Sequence, residues 1–435
     1  MENSRLTHKA NVVWTNLCRF ALGVVFIFSG FVKSNDPYGT VYKIEDYFRA
    51  FGWESLIASF LPLFLACLLS IFEFTLGVYL FFGIRKRLTS IAITLTMLVM
   101  TALTLYLAVA NPISDCGCFG DALVLTNWET FGKNVVLLFF ALWLFRNYRL
   151  VVKFISKKNQ WIISMYGIFY SVAIVYYCIC YLPIFDFRPY YIGANITQQM
   201  SIPEGEQPPV YDTTFILEKD GVRKEFTLDE YPDSTWTFVD SKTYVKEEGY
   251  EPPIKDFTLL DPYTGEDVTE QILSDSVYTF LLISPYLGLA DDGSIDLINE
   301  LYDYSVENNY HFYCVTASLD EEIEQWKDRT GAEYPYLMGD EIMLKTMIRS
   351  NPGLMLLKEG TIVNKWSSLD LPDEYALTGR LENIPLGRIQ QLSMSYRLGI
   401  VFLWFFAPLL LFTVLDNWYH LYRARKERRQ KNENT

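Results

Sequence analysis

The chain of 435 residues is 51% apolar and carries a formal net charge of −14. The acidic surplus, concentrated in the segment 186–395, argues against nucleic acid and anionic lipid headgroups as partners of that segment. Neither average describes a domain, because basic residues gather in short connections while acidic ones fill the segment 186–395.

Six stretches reach or approach the roughly 20 apolar residues that a helix needs to cross a bilayer. They are residues 12–32, 56–83, 88–110, 131–145, 161–185 and 396–419. The fourth is short unless its helix starts near Trp128, an interfacial residue type. Lys and Arg mark cytoplasmic connections. Arg85-Lys86-Arg87 follows span two, Arg146, Arg149, Lys153, Lys157 and Lys158 follow span four, and Arg423, Arg425, Lys426, Arg428, Arg429 and Lys431 follow span six. With six spans and an inside N-terminus, all three clusters fall on one side. Both termini are therefore expected in the cytoplasm, with the loop around Cys116 and the segment 186–395 in the periplasm of a bacterial inner-membrane protein. Lys33 to Asp36 follows span one without a small-residue cleavage pattern, so that span reads as a retained helix. The basic tail, 420–435, is expected to be disordered against the inner leaflet.

A charge inside a span is costly and calls for a partner. Arg19 and Glu73 lie at similar depths counted from the inner ends of their apolar runs, which predicts an intramembrane ion pair that fixes packing, with a proton or quinone site as the sharper alternative. Gly23, Gly30, Gly77 and Gly83 allow close helix approach.

Between spans three and four the chain reads Cys116-Gly-Cys118-Phe-Gly120. A disulfide across Cys-X-Cys closes a small strained ring, and strain raises its reduction potential. Gly117 supplies the backbone freedom such a turn needs. In the reduced state the helix start near Trp128 lowers a thiol's pKa, whereas Asp115 and Asp121 raise it, and the sequence leaves that balance open. Cys178 and Cys180 lie near the outer end of span five at a similar depth. They form a relay with the first pair if the thiols meet, but positions two apart on a helix face nearly opposite sides and Cys is a common apolar filler. Cys18 and Cys67 read as packing residues. Two sulfurs without a nearby histidine make half a zinc shell, and His8, His311 and His420 are dispersed, so no metal is expected.

Several of these positions carry a resemblance. Arg19-Phe-Ala-Leu-Gly23, Phe28-Ser-Gly30-Phe-Val-Lys33, Asp36-Pro37, Glu73 with Gly77, and Asp115-Cys-Gly-Cys-Phe-Gly-Asp121 resemble the DoxX family, the Cys-Gly-Cys-Phe-Gly segment being closest to its MauE-type branch. The likeness covers residues 10–150 and implies a four-helix membrane bundle. Members of that group are associated with thiosulfate-quinone oxidoreduction or with disulfide maturation of periplasmic partners.

In the outer segment, residues 213–217 and 236–239 read as strands punctuated by turns at Asp220-Gly221 and Tyr231-Pro232-Asp233, a small β-rich unit over 186–251. After Pro252-Pro253 the pattern gives an entry segment 254–261, strands at 278–284 and 312–316, helices at 294–308, 321–330 and 341–348, and a hairpin of 354–357 with 361–365. Alternating strands and helices that end in a hairpin argue an α/β sheet covered on both faces. This order is similar to the thioredoxin-like fold over 252–392, with Phe257-Thr-Leu-Leu-Asp261 before Gly265 resembling its entry motif and Ser350-Asn-Pro352-Gly resembling its cis-proline turn. Where that family carries Cys-X-X-Cys, this chain reads Ser284-Pro-Tyr-Leu-Gly-Leu-Ala-Asp291, and the domain's only thiol, Cys314, falls in a core strand. Dithiol exchange by this domain is therefore unsupported. Its partner surface is expected around Ser284, Pro285, Tyr286 and Pro352.

The fold class expected is thus a membrane α-helical bundle, a DoxX-like four-helix core plus two further transmembrane helices, carrying an α/β thioredoxin-like periplasmic domain. Two functions compete. In one, Cys116 and Cys118 are catalytic, exchanging electrons with a quinone or a separate redox carrier while the outer domain recruits a periplasmic protein client. In the other, the chain is a non-catalytic anchor or assembly factor that presents a degenerate binding module. A transporter is disfavoured, because the spans carry few charges beyond Arg19 and Glu73.

Overall fold

The computed structural model describes residues 2–433 except 58, 114, 220, 221, 228–231, 233, 234, 248 and 390–392. The membrane part, which the last helix of the chain joins, is built from α1 (Glu2–Asn35), α2 (Pro37–Ala50), α3 (Leu61–Phe82), α4 (Lys86–Ala110), α5 (Asn127–Asn147) and α6 (Gln160–Cys180). Outside it follow α7 (Ile196–Met200), β1 (Val210–Lys219), β2 (Val222–Thr227), β3 (Thr237–Glu247), β4 (Leu259–Leu260), α8 (Thr269–Leu273) and β5 (Thr279–Ser284). Next come α9 (Ile295–Glu307), β6 (His311–Thr316), α10 (Asp320–Thr330), β7 (Tyr336–Gly339), α11 (Glu341–Met347), β8 (Gly353–Lys358) and β9 (Thr361–Ser367), and α12 (Met394–Glu433) closes the chain.

Among the described residues six helices are long and apolar enough to cross a bilayer, one in each expected stretch. The fourth starts at Asn127, one residue before Trp128, where Thr126 and Glu129 form a reciprocal capping box. Helix α2 was not anticipated. It is short and mixed in polarity, and its signal was the Asp36-Pro37 start, since Asp36 caps it by accepting from the Gly39 amide at 2.9 Å. The tail is also a correction: α12 continues through it to Glu433, as its runs of Arg, Lys and Glu favour.

The basic connections meet at one end of the bundle. Lys86 Nζ donates to the carbonyls of Arg149 and Val151 at 2.8 and 3.3 Å, and Asp416 accepts from the Ser156 amide and the Asn159 side chain at 2.8 and 2.6 Å. The Cys116 loop and the outer domain occupy the opposite end. Helices α1 and α3 touch backbone to backbone: a Cβ on Gly30 would lie 2.3 Å from the Phe74 nitrogen, and one on Gly77 2.5 Å from that of Ile27.

That register overturns the expected Arg19–Glu73 pair. With 30 beside 74 and 27 beside 77, Glu73 stands level with position 31, and twelve residues of helix put Arg19 about 18 Å deeper along the axis. Depth counted from the ends of apolar runs misjudged this, because those ends are not level: by the same register Phe82, at the end of α3, stands beside position 22, well above the start of the first run at Val12. Glu73 pairs with Lys33 at 2.7 Å. Arg19 instead donates to the Val152 carbonyl and stacks on the rings of Phe20 and Phe154.

Outside, β1, β2 and β3 form an antiparallel sheet in the order β2-β1-β3. It extends the two expected strands, while the expected turn residues Asp220, Gly221, Tyr231 and Asp233 lie outside the described residues. The larger sheet has the order β4-β7-β6-β5-β8-β9, with β5, β6 and β7 parallel and β8 and β9 antiparallel. All six residues of β5 are buried, which requires cover on both faces. Phe280 and Leu282 pack with Ile298 of α9 and Trp326 of α10, while Leu281 and Ile283 pack with Ile272 of α8 and Leu344 of α11.

The outer domain is seated on the bundle by ion pairs whose cations are buried. Arg349, just after α11, reaches Asp36 between α1 and α2 at 2.9 Å and Asp121 of the Cys116 loop at 3.2 Å. Asp186 joins Arg188 and Lys365, each at 2.8 Å, where the chain leaves α6 for the sheet.

Candidate functional site

The loop between α4 and α5 is held at both ends before its chemistry begins. Asn111 takes a left-handed conformation to close α4, and Asn127 Nδ2 donates to Asn111 Oδ1 and the Ile113 carbonyl at 2.9 and 2.8 Å. Gly117 adopts φ +64°, and a Cβ there would meet Lys43 Cγ at 2.9 Å. Only glycine takes that turn without strain. It folds the chain back so that Cys116 Sγ and Cys118 Sγ lie 2.6 Å apart, with the Cys118 amide donating to Cys116 Sγ at 3.3 Å.

The two sulfurs are not equivalent. Cys116 is half-buried, whereas Cys118 is buried. The hydrogen bond between the two side chains, against the opposing effect of burial, brings the Cys116 thiol down to about 6, with the Cys118 amide and the Lys133 cation adding to the effect. The same hydrogen bond, followed by burial, pushes Cys118 well above the ordinary thiol range. Cys116 is thus the thiolate and Cys118 its proton-bearing neighbour, the division of labour that thiol exchange needs. The balance left open by the sequence falls this way because both acids are engaged elsewhere: Asp115 pairs with Lys43 at 2.6 Å and Asp121 with Arg349.

Every side of the loop is gripped. Tyr47 Oη donates to the Cys116 carbonyl at 3.1 Å. Phe119 packs on Phe28 with ring centroids 5.4 Å apart, under Lys133 Nζ at 4.1 Å. From inside the bundle, Lys33 Nζ donates to the Cys118 carbonyl at 2.8 Å. The void beside the thiols is only about 10 Å³, too small for a substrate. A cavity of about 530 Å³ lies next to it between α2, the loop and α11, lined by Lys33, Asp36, Lys43, Gly117, Asp121 and Lys345 among others.

The remaining expected site residues fall into two groups. Cys178 is fully buried in α6, and Cys180 faces away from it into a cavity of about 420 Å³ with Tyr38, Pro285, Asp291, Ser350 and Asn351. Among the described residues no sulfur contact joins this pair to Cys116 and Cys118. Ser284, Pro285, Tyr286 and Pro352, by contrast, lie close together in the outer domain. Ser284 Oγ lies 2.6 Å from Asn351 Oδ1, Asn351 Nδ2 donates to the Tyr286 carbonyl at 2.9 Å, and the Asn351–Pro352 peptide is cis. This surface faces the chain's own α2 and α6, with Lys345 Nζ between the rings of Tyr42 and Tyr286 at 4.7 and 5.0 Å. Cys314 is fully buried in β6 and burial pushes its thiol up. Sequence reasoning missed Lys33, Lys43, Tyr47 and Arg349 as loop partners. Lys33 carried the one available signal, a lysine three residues after Gly30 at the end of an apolar span.

Comparison with known proteins agrees with the membrane part. Residues 211–248, the β1–β3 unit, match the model of a domain of unknown function, DUF8463. No curated protein and no solved structure matches the chain. Residues 10–146, α1 through α5 with the Cys116 loop inside them, match the family model described as methylamine utilisation protein MauE.

Proposed function

We propose that this chain is a thiol–disulfide exchange component of a bacterial inner membrane, DoxX- and MauE-like in its bundle, with both termini in the cytoplasm and the Cys116 loop facing the periplasm. The observation that carries this reading is the asymmetry of the pair: a half-buried, low-pKa Cys116 lies 2.6 Å from a buried, proton-bearing Cys118. Cys116 attacks one sulfur of a partner disulfide, that S–S bond breaks, and the departing sulfur takes a proton. Cys118 then attacks Cys116 Sγ, the mixed disulfide breaks, and the Cys118 proton ends on the partner's second sulfur. Two electrons pass from the loop to the partner, and the reverse sequence oxidises a dithiol client.

The outer domain is read as thioredoxin-like from its strand order, three parallel strands followed by an antiparallel hairpin with helices on both faces. Without cysteine between Ser284 and Asp291 it exchanges no disulfide itself, and we assign it the role of a cap that presents a client or carrier to the loop. A membrane quinone fits less well as the electron acceptor. The crevice of about 160 Å³ lined by Phe28, Phe31, Tyr170 and Phe405 suits a hydrocarbon chain. Its one lining hydroxyl, on Tyr170, already donates to the Val401 carbonyl at 3.0 Å, which leaves no donor there for a quinone oxygen. The electrons are therefore assigned to a thiol carrier.

The second reading, a non-catalytic anchor, draws on the seating of the Ser284–Pro352 surface against the chain's own helices. Trapping separates the two. In intact cells, Cys118→Ser should hold a reducible mixed disulfide with another protein while Cys116→Ser holds none, and a membrane-impermeant thiol reagent should reach Cys116 from outside. Absence of any trapped species, with both variants fully active, would leave the anchor.

A further inference from the structure

We infer that Lys33, set between Glu73 and Ser29, positions the Cys116–Cys118 pair and balances its charge by gripping the Cys118 carbonyl from inside the bundle. The inference rests on the thiol exchange proposed above. Lys33 Nζ uses all three of its protons, on Ser29 Oγ at 2.8 Å, Glu73 Oε2 at 2.7 Å and the Cys118 carbonyl at 2.8 Å. Ser29 Oγ doubles the hold, lying 2.7 Å from both Glu73 Oε2 and the Cys118 carbonyl oxygen. Both charged side chains are 5% exposed.

An ion pair that only fixed helix packing has no need of a loop carbonyl, and a buried pair by itself adds little stability. What this arrangement adds is a hold on residue 118, where the resolving thiol must stay beneath Cys116. Of the other charged groups at the loop, Lys43 acts on the Asp115 carboxylate and Arg349 on that of Asp121, while Lys133, over the Phe119 ring, bears on the two thiols through space without bonding to their backbone. Among the described residues, Lys33 is the one cation bonded to the backbone of either loop cysteine. Once Cys116 is tied to a partner, Cys118 gives up its proton, attacks Cys116 Sγ and expels the partner sulfur, which takes the proton. The negative charge that passes through Cys118 is drawn on by the Lys133 and Lys33 cations, and Glu73 offsets part of the Lys33 attraction.

The test is the dithiol–disulfide equilibrium of the loop in glutathione buffers, measured on the full chain in nanodiscs with site-resolved mass spectrometry. Lys33→Met removes the cation that favours the dithiol-thiolate form, so the constant for disulfide formation should rise about tenfold, a potential about 30 mV more reducing. Glu73→Gln frees the cation and should move the constant the other way by a similar factor, while Lys33→Arg stays within about threefold of the parent. A loop that is merely loosened moves in one direction in both variants. Equal-direction shifts, or none, would overturn the assignment. If Lys33→Met does not accumulate, an unchanged equilibrium in Glu73→Gln overturns it alone. Opposite shifts with no partner trapped by Cys118→Ser would uphold the charge assignment while removing the exchange function itself.

Discussion

Replacing Cys118 with alanine tests the charge placement at the pair. The Cys118 thiol is the largest influence holding Cys116 at about 6; alanine removes it and keeps the burial that works against it, so the Cys116 pKa should climb toward the ordinary thiol value of 9.0. A rise of three units is about 4 kcal/mol of lost thiolate stabilisation. At pH 7 the thiolate fraction falls from about nine-tenths to about one-hundredth, roughly 90-fold. Intrinsic nucleophilicity rises with basicity, and a Brønsted coefficient of about 0.4–0.5 returns a factor of about 20. The rate with an aromatic disulfide reagent at pH 7 therefore drops only about fivefold, and above about pH 7.7 the variant becomes the faster of the two. The full pH profile is the discriminating assay. It should be read at Cys116 by mass spectrometry, since five cysteines lie outside the loop. A parent midpoint near 9, or a midpoint that alanine leaves in place, would refute the reasoning.

Three further outcomes follow from the geometry. Arg349→Met leaves the largely buried Asp36 carboxylate without this cation, an effect of about 3–5 kcal/mol for a buried pair, and should be read as faster proteolysis in the exposed 201–206 segment and as loss of crosslinking between α2 and α11. Asp186 is raised by burial but, more strongly, lowered by Arg188 and Lys365, and so sits at about 2. Its contribution to stability is thus complete above pH 4 and lost as pH falls toward 2, about 2 kcal/mol by linkage; acid unfolding of the outer domain should shift accordingly, and should lose that limb in Asp186→Asn. Gly30→Val sets a side chain where its Cβ lies 2.3 Å from the Phe74 backbone, so α1 and α3 must separate; thermal unfolding in detergent should fall by several degrees, and normal behaviour would contradict the backbone contact.

Much of the architecture was legible because its signals are local. Apolar run length gave the six spans, and alternation of buried strands with amphipathic helices gave the order of β5, α9, β6 and α10. What stayed hidden was relative register. Arg19 and Glu73 looked level in the sequence, and only the backbone contacts of Gly30 and Gly77 place them about twelve residues apart along α1. Strand β7 escaped because four residues following Pro335 carry too short a pattern. The cysteines of the site were legible from Cys-Gly-Cys between spans, while their partners were not: Lys43 and Tyr47 sit on the unanticipated α2, and Arg349 comes from more than 200 residues away.

The loop is constrained from two directions, and this bears on how a partner reaches it. From below, Lys33 and Ser29 hold the Cys118 carbonyl. From above, Arg349 of the outer domain holds Asp121, three residues on. Exposing Cys118 would require breaking one of these grips, whereas Cys116 is half-exposed as it stands. In the exchange proposed above, a partner would therefore engage Cys116 first, with Cys118 shielded from over-oxidation in the interval. Because the 530 Å³ cavity is walled by α11 as well as by the loop, the seating of the outer domain sets the width of that approach. Loosening the seat through Arg349 should raise the reactivity of Cys116 toward bulky disulfides more than toward small ones, a size dependence that a loop independent of the outer domain would lack.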